Sequence, residues 1–138
     1  MKARLKKALP CFIAAAAAFI LEFVLVAFLL RPQPLQVGTA DLGTAADGEY
    51  IGVCQNKILF AVVQVEIHDH KISGIEVMEH KASYRKQAEQ IAEAVRAKQS
   101  LQVDSVSGAT LTSRTVLKAI ENALHGAERP DDGKQVSD

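Results

Sequence analysis

Residues 103–113 read VDSVSGATLTS, a stretch in which Ser105, Ser107, Thr110, Thr112 and Ser113 set hydroxyls around a single glycine, Gly108. Hydroxyls just before a helix cap its free amides. The helix N-terminus itself, with unpaired N–H groups and the positive end of the dipole, is a ready place for a phosphate. Gly108 permits close approach of backbone to ligand. On residue types alone, capping by Thr112 or Ser113 and cradling of a phosphate both remain open. Asp104 reads as a turn former bonding its own backbone. Upstream, His80 reads as a surface histidine leaving a strand and Tyr84 as a half-buried tyrosine beside a helix start. No acid–base pair and no second site accompany the stretch, and two cysteines, Cys11 and Cys54, make neither a disulfide framework nor a metal cluster.

The elements that must position these residues follow from periodicity. Gly48 to Cys54 reads as a strand, Gln55-Asn56-Lys57 as a turn, and Ile58 to Ile67 as a second strand alternating at Val63, Val65 and Ile67. Asp69-His70 makes another turn before a third strand from Ile72 to Met78, with Gly74 as an irregularity. Apolar residues then recur at Ala88, Ile91, Ala92 and Val95, which predicts a helix over 86–98. A stripe at Val116, Leu117, Ile120, Ala123 and Leu124 predicts another over 112–125, with Gly126 just past its end. A sheet with one face to cover and two one-sided helices predict an α+β domain, the helices packed on one face of a small antiparallel sheet.

Ahead of the domain, Cys11 to Leu30 is an apolar run of the length needed to cross a bilayer, broken only by Glu22. Four basic residues precede it and Arg31 follows, so the positive-inside rule predicts a cytoplasmic N-terminus and an extracytoplasmic domain. A cleaved signal peptide is the rival reading. Arg31-Pro32-Gln33-Pro34 in place of small residues argues for retention as an anchor. The expected organisation is a basic start and transmembrane anchor over 1–31, a linker over 32–46, the domain over 47–126 and a polar, disordered tail over 127–138. Residues 1–31 hold five basic residues and one acid; the rest, with 11 basic and 15 acidic, carries −4, a sign that argues against nucleic acid as a partner.

The stretch Asp104-x-x-Ser107-Gly108-Ala109-Thr110-x-Thr112-Ser113 resembles the flavinylation motif of the FMN-binding domain family, which includes the C subunit of the sodium-pumping NADH:quinone reductase and the G subunit of the Rnf complex. Asp47-Gly48-x-Tyr50-x-Gly52, Lys71-Ile72-x-x-Ile75-x-Val77 and Glu79-His80-Lys81 are similar to the family's opening strand, third strand and exit. The likeness extends from about Asp47 to Leu124. Two departures touch flavin contacts: Ala82-Ser83-Tyr84-Arg85 stands where a Gly-rich turn is usual, and the first hairpin tip lacks its usual glycine.

The resemblance implies FMN held covalently, as a phosphodiester to Thr110, transferred from FAD by an extracytoplasmic FAD:protein FMN transferase for which this chain is substrate. Ser107, Gly108 and Ala109 would shape the loop around the phosphate, Asp104 would be read by the transferase or order the loop, and Thr112 and Ser113 would cap the helix or bond phosphate oxygens. His80 and Tyr84 would line the flavin site, and Lys81 is expected to be solvated. The implied function is electron transfer between a membrane redox complex or quinone-linked donor and an extracytoplasmic acceptor, with the lipid bilayer as the anchor's solvent. The alternative from another class is a non-redox membrane-anchored binding or assembly module with the same fold and no flavin.

Overall fold

A computed structural model describes residues 2–128, so residues 129–138 of the expected tail lie outside the described residues, while its first two, Ala127 and Glu128, end a helix. The chain divides at Arg31/Pro32 into two units. The first is one helix, α1 (Lys2–Leu29), with Pro10 inside it. Its Pro10–Leu29 stretch of 20 residues is long and apolar enough to cross a membrane, a property that a signal sequence near the N-terminus shares.

The second unit is the expected α+β domain. Strands β1 (Gly48–Asn56), β2 (Leu59–His68) and β3 (Lys71–His80) form an antiparallel meander in that order. Helices α2 (Arg85–Lys98) and α3 (Thr110–Glu128) both pack on its inner face. Alternation puts Cys54, Leu59, Ala61, Val63, Val65 and Ile67 inward. The anticipated stripes of both helices, Ala88, Ile91, Ala92 and Val95 on α2 and Val116, Leu117, Ile120, Ala123 and Leu124 on α3, meet them in one core.

The strands run longer than their apolar patterns. β1 continues to Asn56, which pairs with Leu59, so the first turn is the two residues Lys57-Ile58, with Lys57 at φ 58°. The amide side chain of Asn56 accounts for the extension, bonding both the N–H and the carbonyl of Gln33 as a strand backbone would. The second turn is Asp69-His70 as expected, both at positive φ (51° and 58°), the requirement of a type I′ hairpin whose twist matches the strands. Opposite Glu66 the register shifts beside Gly74, and a second shift opposite Val62 turns two successive residues, Met78 and Glu79, outward.

The tightest constraint is at Gly52. A Cβ there would lie 1.9 Å from the carbonyl oxygen of Ala119 and 2.7 Å from the amide nitrogen of Ala123, so β1 and α3 touch backbone to backbone. Only glycine allows this approach.

Residues 32–46, expected from composition to be a linker, lie along the domain as a strap. Leu35, Val37, Ala40 and Leu42 are partly buried against the core and Ala45 is buried within it. Arg114 donates to the Leu35 carbonyl (2.8 Å), the Gly38 amide donates to Glu121 (3.2 Å), and the Asp41 amide donates to Glu128 (2.8 Å). Composition concealed this because the partners lie on α3, about 80 residues away.

Burial alone would raise the Glu121 carboxyl, but Lys118, the Gly38 amide and His125 outweigh it and hold the group below the usual range. His125 is raised by its bond to Glu128, against a small desolvation effect and with help from Glu121. Glu128 is lowered by His125 and then by the Asp41 amide.

Two outcomes follow. Gly52→Ala should lower the unfolding free energy by about 3 kcal/mol or more, read by denaturant titration; an unchanged midpoint would mean that α3 can back away. For the strap, the raised His125 gives stability present below the ordinary histidine pKa and lost as pH rises through its higher folded value. The depressed Glu121 and Glu128 give stability present above the ordinary carboxylate pKa and lost as pH falls through their lower folded values. Protection of the Gly38 and Asp41 amides from exchange should therefore be greatest between about pH 4.5 and 6.5, and His125→Ala should abolish the alkaline decline.

Candidate functional site

Val106 to Ala109 form a tight turn closed by the Ala109 amide on the Val106 carbonyl (3.0 Å), and Gly108 takes the φ of 76° that the third residue of a type II turn requires. A Cβ at Gly108 would meet nothing within 4 Å, so the space above it is open. Helix α3 begins directly after this turn, at Thr110, two residues before the expected start. Thr112 and Ser113 are therefore not N-caps: both are buried within the first turn. The Ser113 amide already makes a helical bond to the Ala109 carbonyl (2.8 Å), which leaves the amides of Thr110, Leu111 and Thr112 without intrahelical acceptors.

Ser113 has a different task. Its hydroxyl accepts from the Val106 amide (3.1 Å) and donates to the Ala109 carbonyl (2.9 Å), clasping both ends of the turn from inside the helix. This clasp, rather than a cap, is what a serine at that spacing supplies.

The open amides border a cleft of about 440 Å³, within the range of roughly 300–1,000 Å³ usual for small-molecule sites. One side is Gly108, Ala109, Thr110, Leu111 and Thr112; the others are Ile58, Leu59, Pro32, Lys81 and Tyr84. Lys81 and Tyr84 flank a short 3₁₀ turn (Ala82–Tyr84) closed by the Tyr84 amide on the Lys81 carbonyl (2.9 Å). In 3₁₀ geometry residues three apart share a side, and so a cation and an aromatic ring border the same space. Thr110 is exposed there.

Of the residues singled out from sequence, Thr110, Gly108, Ala109, Thr112 and Tyr84 line the cleft. Ser107 and Ser113 build the turn beneath it, and Asp104 is exposed upstream. His80 is not among the lining residues. It points to the inner side of β3, is 8% exposed, and its Nδ1 donates to the Phe60 carbonyl (2.6 Å), while its buried Nε2 has no partner among the described residues. Sequence reasoning missed Lys81, Ile58, Leu59, Leu111 and Pro32. The spacing of Lys81 and Tyr84 was a signal for the first; the apolar lining gave none, since it looks like core.

The lining is chemically mixed: free amides at the positive end of a helix and the lysine are groups suited to a phosphoryl group, and Tyr84, Ile58, Leu59 and Leu111 are suited to an aromatic ring. Residues 60–125 match the family model of the FMN-binding domain. Over these residues the chain is similar to that family. The match runs from β2 into α3 and takes in all the motif residues, while β1 and the strap lie outside it. A crystal structure of the CPE2226 protein from Clostridium perfringens is similar in fold, with a TM-score of 0.50 and 22% identity over 61% of this chain and 89% of that one. No match to a curated protein accompanies it. The cleft thus fits a phosphoryl group and an aromatic ring, the two parts of FMN, on the chemistry of its own lining.

Ser113→Ala should cost about 1–3 kcal/mol, because the Val106 amide loses its acceptor in a buried setting. Denaturant titration measures that cost, and faster exchange of the Val106 amide would localise it to the turn.

Proposed function

We propose that this chain is a membrane-anchored electron-transfer flavoprotein that carries FMN covalently on Thr110, outside the cytoplasm. The observation that carries the proposal is the position of Thr110: the first residue of α3, exposed, at the border of the cleft and beside the open amides. A hydroxyl placed there becomes an ester oxygen whose phosphorus sits at the positive end of the helix. The amides of Leu111 and Thr112 and the ammonium of Lys81 would balance the charge of the phosphodiester, and Tyr84 with Ile58 and Leu59 would shield one part of the ring from water. Gly108 leaves room over the turn. When bound, FMN supplies the redox chemistry, and the protein positions it and tunes its surroundings.

An unactivated threonine hydroxyl is a weak nucleophile, so attachment needs a separate FAD:protein FMN transferase to take the proton and polarise the FMN phosphorus of FAD; the new P–O bond forms as the pyrophosphate bond breaks and AMP leaves. The basic start and the apolar Pro10–Leu29 stretch support an anchored domain held on the outer side, and the donor of this reading is a membrane redox complex or a quinone-linked one.

Full-length protein produced with a flavin transferase should be yellow after denaturation and heavier by one FMN less water, and Thr110→Ala should be colourless and unmodified though folded. An unmodified wild-type chain beside an active transferase would overturn covalent attachment at this residue.

A further inference from the structure

The helices cover only the inner face of the sheet. On the outer face, Ile51 is 62% exposed, Val53 54%, Met78 43% and Phe60 40%, with Val62 half-buried among them. Val53 and Val62 are direct cross-strand partners, so these side chains form one continuous apolar patch across all three strands. Its end at Phe60 lies two residues from Ile58 of the cleft. An apolar surface that the domain does not bury for itself costs solubility and calls for an occupant.

Along the strands the border of the patch is acidic. Glu49 and Glu66 stand directly opposite each other on β1 and β2, Glu79 stands opposite Val62, and Glu76 opposite Gln64. All four carboxylates are exposed. Like charges facing each other across strands weaken a sheet, so the fold's own stability gives no reason for the Glu49–Glu66 pair. Of the cations near this face, Lys71 and the ionisable His68 stand at the far hairpin end, and Lys57 and Lys81 lie at the Phe60 end, beside the cleft.

Charge then selects among occupants. An anionic lipid surface would repel the four carboxylates. A second copy in a symmetric pair would press the same acidic rim against itself. The remaining class is a protein surface of opposite pattern, apolar at its centre and basic around it, the usual anatomy of a specific interface. We propose that the outer face of the sheet, Ile51, Val53, Phe60, Val62 and Met78 within the ring Glu49, Glu66, Glu76 and Glu79, docks a protein partner whose apolar contact surface is rimmed by lysine and arginine. The outward bulge at Met78-Glu79 enlarges this face on the β3 side and supplies both an apolar and an acidic member. The proposal needs no flavin and stands apart from the reading of the cleft.

The test uses the full chain in nanodiscs of zwitterionic lipid and a pair of designed helical peptides that share one leucine face, rimmed in one by lysine and in the other by glutamate. Binding is read by fluorescence anisotropy. The lysine-rimmed peptide should bind at least about tenfold more tightly than the other. Val53→Glu, and separately the double variant Glu76→Lys with Glu79→Lys, should each weaken it about tenfold, and Val53→Ile should bind like wild type. The charge-matched double variant Glu89→Lys with Glu93→Lys on α2 should stay within about twofold, provided circular dichroism shows each variant folded. Equal loss in the α2 variant would reduce the effect to net charge and overturn the proposal, as would undiminished binding by Val53→Glu. Binding of soluble anionic phosphatidylglycerol vesicles that Val53→Glu abolishes would replace the protein partner by a lipid surface. A dimer in sedimentation that the same substitution dissolves would replace it by a second copy.

Discussion

Backbone contact between β1 and α3 at Gly52 is the constraint from which the rest of the domain takes its shape. With the Ala119 carbonyl and the Ala123 amide pressed against a strand residue that has no side chain, α3 cannot slide or roll without either a clash or a void. Seating α3 there fixes where its first turn lies relative to the β1–β2 hairpin, and that relation is the cleft: Thr110 to Thr112 on one side, Ile58 and Leu59 on the other. Core packing and site geometry are thus one problem in this domain.

Side-chain amides extend the backbone's own bonding where the chain would otherwise leave groups unpaired. Asn56 bonds both polar groups of Gln33, and Gln99 bonds both polar groups of Ile72 at 2.8 Å each while also reaching the Arg96 carbonyl. Gln99 itself ends α2 in the left-handed conformation, φ 51° and ψ 38°, so one residue stops a helix and dresses a sheet edge. These contacts span 23 and 27 residues in sequence, and they tie the strap and the end of α2 to the meander.

Much of this was legible in advance, for definite reasons. Alternation at Val63, Val65 and Ile67 and the stripes of α2 and α3 report burial directly, so strand and helix types and the helix-covered face follow from them. The start of α3 was not legible, because Thr112 and Ser113 look like caps and only the three-dimensional turn shows Ser113 reaching back to Val106. The strap was hidden by its Pro, Gly and Thr content, which describes mobility only when no partner such as Arg114 or Glu121 stands ready. At the site, Thr110 and its glycine stood out through the resemblance, whereas the spacing of Lys81 and Tyr84 gained its meaning once the 3₁₀ turn put both on the cleft. The bulges, which decide that Met78 and Glu79 both face outward, leave no trace in composition beyond Gly74.

The clasp made by the Ser113 hydroxyl also bears on the order of events in the life of the chain. The turn around Gly108 is held from within the first coil of α3, and α3 is held by the sheet, so the Thr110 hydroxyl acquires its exposed, amide-flanked setting only after the core has assembled. An unfolded copy presents the same letters without the geometry. Under the proposed attachment at Thr110, an enzyme that reads this geometry would mark finished molecules and pass over unfinished ones, and the modification would then be a record of successful folding.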